Sequence, residues 1–393
     1  MRSTVKVIGV GMVKFAKPGA HEPYEIMAGK AVRAALADAG IGYGDVQQAF
    51  AGYVFGDSAC GQAALYRVGM TGIPIVNVNN NCSSGSSALL LARQAVLSGA
   101  VECALAVGFE EMRPGALGPV WDDRTSPLMD LEATLESLLP DLPSGTNALR
   151  LFGAAAAAYI DKTGANPDIF AKVAVKTRRH ALNNPYALFN QPLTVEEVMA
   201  SPVVFPPYLT RLECCPPSCG AAAAIVCSAV FARKHGANRS VSILAQAMAT
   251  DTLASGRNPI DLVGADMTRS AAQQVYDQAG IGPEDVTVLE LHDCFTSNEV
   301  TTYEALGLCP EGGAEKMINL GDNTYGGRYV VNPSGGLMSK GHPLGATGLA
   351  QCTELVTQLR GEAEQRQVDG VRIALQHNLG LGGACVVTLY GRD

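Results

Sequence analysis

The chain has 393 residues, of which 47% are hydrophobic and 17% charged. A chain this apolar can offset the entropy lost on ordering, which excludes disordered and collagen-like architectures, and its length implies two or three structural units with sizeable cores. The net charge of −8, with no long basic run, argues against a nucleic-acid partner.

The N-terminus, MRSTVKVIGVGMVKF, has neither the hydrophobic core nor the small-residue cleavage site of a signal peptide, and the final GRD is not a peroxisomal tripeptide. The longest apolar stretch, 220–232, falls short of the roughly 20 residues that a membrane-spanning helix needs. These features predict a cytoplasmic protein with no membrane span. Eleven cysteines without a C-x-x-C pair fit a reducing compartment better than a disulfide scaffold or a zinc ribbon. Cys214, Cys215 and Cys219 read as packing residues rather than metal ligands.

In chain order, an alanine-rich amphipathic stretch closes at AGIGYGDV (39–46), where Gly stops a helix, and strand-like AFAGYVF (49–55) follows. After the strand IVNV (75–78), CSSGSSAL (82–89) opens an apolar helix that ends at Gly99, ahead of strand-like VECALAVG (101–108). Residues 116–213 change character: prolines recur from Pro119 to Pro207, and helical pieces such as LRLFGAAAAAYIDKTG alternate with loops. This segment reads as an insertion laid over the first half. GAAAAIVCS (220–228) reads equally well as a buried strand or a buried helix.

The octet then returns as AGIGPEDV (279–286), leading into VLELHDCF (288–295), read as a strand. HPLGATGL (342–349) opens a helix that ends near Gly361, ahead of VRIALQHN (371–378). Helix, strand, glycine-rich turn, helix and strand thus recur in one order, which predicts a duplicated α/β unit with mostly parallel strands between helical layers. The expected divisions are 1–115 with 214–238 for the first half, 116–213 for the insertion and 239–393 for the second half.

The sharpest chemical candidate is Cys82, set between a strand end and a helix start among Asn79, Asn80, Asn81, Ser83, Ser84 and Gly85. Small polar neighbours allow close approach by a substrate, and a helix N-terminus favours thiolate, predicting a pKa drawn from about 8.5 towards about 7. His342 holds the corresponding place in the second repeat, with Pro343 restricting its backbone and Gly345 and Gly348 keeping the turn open. If the halves pack about a pseudo-twofold axis, both helix starts meet in one cleft and His342 can act as base for Cys82. His292 and Cys294, two apart on a strand, would share a face opposite Asp293, offering a hydrogen-bond donor and a second acid/base thiol. NPSGG (332–336), GHPLGATG (341–348) and HNLGLGG (377–383) can present backbone N–H groups to an oxyanion.

NNNCSSGS, HDCF, NPSGG, GHPLGATG and HNLGLGG, in this order, resemble the thiolase superfamily, and specifically its sterol-carrier-protein-type (SCP-x) branch, over essentially the whole chain. HDCF is that branch's mark. Other thiolases carry Asn-Glu-Ala-Phe there and take their second cysteine from a C-terminal Cys-x-Gly segment, which here is Asn378-Leu379-Gly380. The resemblance implies an α/β fold of two pseudo-twofold related βαβαβαββ halves in αβαβα layers, with an inserted loop domain and assembly as a homodimer or dimer of dimers.

It also implies roles. Cys82 would be the acylated nucleophile, and His342 would activate it and donate to the thioester oxygen. Cys294 would move the proton to or from the substrate α-carbon or the incoming thiol. His292 would help form a first oxyanion hole, and the N–H groups of Cys82 and Gly380 a second. The implied reaction is thiolytic cleavage of a 3-ketoacyl-CoA, or the reverse Claisen condensation, in fatty-acid, branched-chain or sterol side-chain degradation. CoA would be a substrate, with no metal or prosthetic group required.

Arg178 and Arg179 are candidates for the CoA phosphates. The carrier-protein domain fused to some relatives is not expected here, which leaves room for a separate carrier or auxiliary partner. Two segments depart from the branch: CCPPSCG places Cys219 where an acid is usual, and 116–146 matches no family motif. The alternatives are a thiolase-fold ketosynthase or retro-aldolase, or a non-catalytic scaffold that binds acyl-CoA or lipid.

Overall fold

The computed structural model describes residues 4–115, 118, 121 and 123–392; Pro119 of the proline-rich insertion lies outside them. The first half contributes strands β1 (Val5–Met12), β2 (Gln48–Gly52), β3 (Ile75–Val78), β4 (Cys103–Glu110) and β5 (Gly220–Ser228). The second contributes β6 (Val241–Ala249), β7 (Val288–Glu290), β8 (Val330–Val331), β9 (Ile373–Gly380) and β10 (Ala384–Gly391). The ambiguous alanine run is therefore a strand, buried along nearly its whole length.

All ten strands join in the order β8-β7-β9-β10-β6-β1-β5-β4-β2-β3. That order is the same from either end once each strand is exchanged for its repeat equivalent. Its centre is an antiparallel contact between β1 and β6, with Val5 opposite Ile243 and Val7 opposite Val241. The strands are mixed, not mostly parallel. β2 runs parallel to β3 and β4, as β7 does to β8 and β9, because helical connections return the chain in the same direction. The ladders β4–β5, β5–β1, β9–β10 and β10–β6 are antiparallel.

Seven helices matter for the site: α1 (Tyr24–Ala39), α2 (Ser84–Leu97), α3 (Asn147–Thr163), α4 (Asp168–Ala181), α5 (Ala265–Ala279), α6 (Thr296–Ala305) and α7 (Leu344–Arg360). The matched octets end α1 and α5 as expected, with Gly40 and Gly280 in the left-handed region at φ 69° and 72°. α1 packs on β1, β4 and β5 and α5 on β6 and β10, whereas α2 and α7 pack on each other and α7 touches strands of both halves. The layering is αβαβα.

The central helices approach backbone to backbone where they cross. A Cβ on Gly85 would lie 2.6 Å from the Gly345 carbonyl oxygen, and one on Gly348 would lie 2.4 Å from the Ser86 nitrogen. Only glycine permits that backbone approach. It draws the N-terminal ends of α2 and α7 together, and with them the loops that carry Cys82 and His342.

The insertion lies on the second half, contrary to its expected place over the first. α3 and α4 pack on α6, and α4 also on the helical turn Gly336–Ser339. The reason is hydrophobic matching: Leu151, Phe152, Tyr159, Ile169, Phe170 and Val173 share one buried cluster with Leu289, Val300, Tyr303 and Leu337 of the second half. No described helix is long and apolar enough to cross a membrane.

Candidate active site

The Cys82 loop is a tight elbow. Asn81 sits in the left-handed region at φ 51°, a conformation Asn tolerates better than most residues. Hydroxyl groups brace the turn from below: Ser83 Oγ donates to the Asn80 carbonyl at 2.8 Å and Ser84 Oγ to the Asn81 carbonyl at 2.7 Å. Asn81 Nδ2 ties the elbow to the second half through the Leu381 carbonyl at 3.1 Å. Gly380, at the end of β9, lies against the same loop, where a Cβ would come within 2.2 Å of the Asn80 carbonyl oxygen.

Three predicted residues meet here. The Cys82 sulfur and one ring nitrogen each of His292 and His342 all lie within 4.8 Å of one another. The two imidazoles stand edge to face, with ring centroids 5.0 Å apart. Cys294 is buried beside them, and its thiol lies within electrostatic reach of Cys82 and of Cys215.

Hydrogen bonds fix which nitrogen of each ring carries the proton. Thr347 Oγ1 donates to the Pro343 carbonyl at 3.0 Å, so its 2.7 Å contact with His342 Nδ1 must be accepted from an Nδ1–H. His342 Nε2 is then left with a lone pair, buried and without a partner. A lone pair so placed is ready to take a proton.

His292 has the opposite tautomer. Ser86 Oγ donates to Asn378 Oδ1 at 2.8 Å, which turns Asn378 Nδ2 towards the Cys82 carbonyl at 3.2 Å and His292 Nδ1 at 3.1 Å. Nδ1 therefore accepts, and His292 Nε2 carries the hydrogen as a donor. Behind it, the His292 backbone N–H donates to His377 Nδ1 at 3.3 Å, and His377 Nε2 bonds Thr268 Oγ1 at 2.9 Å.

Burial sets the charge state. It pushes the Cys82 thiol up to about 12, with the charge of Glu110 adding to the rise, and it drives His342 down to about 3. The expected fall of the thiol towards 7 is not observed. A helix N-terminus supplies roughly 0.3–1 kcal/mol in such positions, whereas removing a charge from water costs several kcal/mol even after relaxation. His292 is also held well below its ordinary value by burial, then by the neighbouring His342 and His377. The resting pair is thus a neutral thiol beside a neutral imidazole.

The HDCF segment is not a strand throughout. β7 stops at Glu290, because Asn332 Oδ1 takes the Leu291 N–H at 2.8 Å and the Asp293 N–H turns back to the Leu291 carbonyl at 3.1 Å. Asp293 accepts the Leu337 N–H at 2.7 Å. The divergent CCPPSCG segment closes over the site. Cys215 donates its N–H to the Cys294 carbonyl at 2.9 Å, and Ser218 Oγ accepts the His342 N–H at 3.1 Å. Cys219, in the place of the usual acid, is buried with its sulfur on the Met112 backbone. All eleven cysteines are free thiols.

Arg178 stacks on the Phe189 ring at 4.4 Å and Arg179 donates to Thr324 Oγ1 at 2.9 Å. No described hydrogen bond or ion pair links either arginine to the cluster. Sequence reasoning missed Thr347, Asn378 and His377, although the first lies in GHPLGATG and the others in HNLGLGG.

Comparison with known proteins decides the family. The model described as thiolase, N-terminal domain, matches residues 5–204, and that described as thiolase C-terminal domain-like matches residues 247–390. The chain belongs to the thiolase family. Sterol carrier protein 2 of Homo sapiens is 54% identical over 98% of this chain and 71% of its own length. Benzoylsuccinyl-CoA thiolase subunit BbsB of Thauera aromatica is 38% identical over 97% of this chain and 95% of its own. Among solved structures, the Ltp2-ChsH2(DUF35) aldolase matches with a TM-score of 0.83 at 25% identity over 100% of this chain and 98% of its own. Human mitochondrial 3-ketoacyl-CoA thiolase in complex with CoA shares the fold, with a TM-score of 0.74 at 18% identity over the same shares. The thiolase-family relatives include named acyltransferases, in keeping with the sulfur–imidazole centre of this chain.

Proposed function

We propose that the protein is a 3-ketoacyl-CoA thiolase that works through an acyl-Cys82 intermediate. The observation that carries this reading is the unpartnered lone pair of His342 Nε2 in a cluster with the Cys82 thiol. As the Cys82 sulfur attacks the 3-keto carbon, its proton passes to His342 Nε2. No charged pair has to be maintained beforehand, in keeping with the neutral resting state. His292 Nε2–H is positioned as a donor to substrate oxygen, and an oxygen that gains charge is held more tightly by such a donor.

Cleavage of the bond between C2 and C3 leaves the shortened acyl group on Cys82 and an enolate on the departing acetyl-CoA. Cys294 gives its proton to C2 of that enolate, and its thiolate then takes the proton of the incoming CoA thiol. Attack of that thiolate on the acyl-Cys82 thioester, with return of the His342 proton to Cys82, restores the enzyme. The backbone N–H groups of Cys82 and Gly380 are assigned to the thioester oxygen. Two half-reactions through one covalent intermediate give ping-pong kinetics.

Acyl-CoA and CoA are the small-molecule partners, and CoA is a substrate rather than a resident cofactor. We assign a homodimer paired along β3, one of the two end strands of the sheet, where Val76 is 39% exposed, while Val330 and Val331 of the other end strand, β8, are buried, and an unpaired edge invites another strand. The test is CoA-dependent loss of acetoacetyl-CoA and of longer 3-ketoacyl-CoA esters. Loss dependent on added CoA is expected. Cleavage that proceeds equally without CoA would favour the aldolase chemistry of the structural neighbour.

A further inference from the structure

Glu110 ends β4 in full burial, and its carboxylate takes three backbone N–H groups from two separate segments. Oε1 accepts Phe55 N–H at 2.8 Å. Oε2 accepts Val54 N–H at 3.2 Å and Gly345 N–H at 2.9 Å. Gly345 lies in the first turn of α7, three residues after His342, so one side chain bridges the first half to the turn that carries the imidazole. The approach is close: a Cβ on Gly345 would lie 2.4 Å from the Phe109 carbonyl oxygen and 2.7 Å from that of Gly52.

The equivalent strand of the second half has no such group. β4 and β9 are both 8 residues long and pair in the same register with β2 and β7, Ala104 opposite Gln48 and Ala374 opposite Val288. Gln48 and Val288 each stand two residues after a matched octet, so Glu110 is the counterpart of Gly380. Gly380 packs backbone on backbone against the Cys82 elbow, while Glu110 holds the His342 turn through side-chain hydrogen bonds.

We infer that Glu110 is a positioning residue for His342 that pins the first turn of α7 through Gly345. Burial pushes its carboxyl up to about 7, and the N–H groups of Phe55, Gly345 and Val54 pull it back towards the charged form. This inference rests on the thiolase reading above. Three N–H donors on two oxygens suit a carboxylate, which only accepts, and a protonated or amide side chain would aim a donor at one of them. The negative charge also opposes ionisation of Cys82 and of Cys219, the nearby thiols, while Glu111 beside it is occupied by the Tyr24 N–H at 2.8 Å. Glu110 thereby adds to the effect of burial in keeping the Cys82 thiol protonated.

The test is Glu110→Gln in the full chain. Turnover is expected to fall about 10–100-fold with KM changed less than about threefold, since misplacement of a reacting group by 1 Å can cost ~10²-fold. The onset of Cys82 thiolate absorbance at 240 nm, taken as the difference from a Cys82→Ala background, should move to lower pH. A merely structural role would lower activity without moving that onset. Should Glu110→Gln fail to fold, Glu110→Asp keeps the charge but shortens the arm, and it should lose turnover while leaving the thiolate onset in place. A wild-type-like kcat in either folded variant, or an unmoved onset in Glu110→Gln, overturns the inference. The thiolase reading fails separately, if the wild-type protein shows no CoA-dependent cleavage.

Discussion

In the first half the turn after β3 delivers a thiol, and in the second the matching turn delivers an imidazole. The scaffolds are alike: the octets end α1 and α5 at left-handed glycines, and the strand order is symmetric about the β1–β6 contact. The differences gather around the crossing of α2 and α7. Where the second half places His292 in the cluster, the first has Gly52, whose missing Cβ lets the Ser84 backbone close in. Where the first half places Glu110, the second has Gly380. Two helix starts aim at one point, and different residues at equivalent positions place a thiol in one half and an imidazole in the other.

The largest test of that division is Cys82→Ala, which should lower turnover by about 10⁴-fold or more, as loss of a covalent nucleophile does, while His342 keeps its contact with Thr347. A residual rate within a hundredfold of wild type would break the assignment. Next in size, His292→Leu should cost about 10²–10³ in kcat through loss of one oxyanion donor. His292→Asn, which keeps an N–H at that place, should recover most of the loss. Equal damage from both would show that the donor is not what matters.

Thr347→Val removes the acceptor that fixes the His342 tautomer and should cost about tenfold, towards the low end of what general-base groups contribute. Unchanged kinetics would remove Thr347 from the account. A further effect is on stability rather than rate. His342 and His377 are held neutral by burial down to about pH 3. The unfolded chain binds protons at these rings from about pH 6.5 downward, so stability is present above that value and is lost as pH falls towards 3. Tm should therefore drop across this window, and His377→Gln should flatten the slope; an unchanged slope would contradict neutral burial.

Much of this was legible in the sequence because the signals are local. A glycine that stops a helix reads the same wherever it is placed, so AGIGYGDV and AGIGPEDV marked the duplication. Small polar residues around Cys82 and the Gly-His-Pro turn marked the two helix starts. What escaped depends on tertiary burial. The half-buried thiol of Cys82 rises rather than falls because desolvation by the protein packed around it, with the Glu110 charge adding, outweighs the helix terminus, which no count of neighbouring serines conveys. The insertion settles on the second half because α3 and α4 match the apolar faces presented there. β7 ends at Glu290 because Asn332, 42 positions further on by number, takes the Leu291 N–H. Glu110 carries no local signal, because the Gly345 N–H it accepts comes from 235 positions further along the chain.

The convergence of the two halves on one reacting sulfur is tested most directly by intact-protein mass spectrometry after rapid mixing with acetoacetyl-CoA, followed by peptide mapping. The account predicts a single acetyl adduct on Cys82 that disappears when CoA is added and is absent in Cys82→Ala. An unmodified Cys82 across short, long and branched 3-ketoacyl-CoA esters, or an adduct that CoA does not discharge, would contradict it.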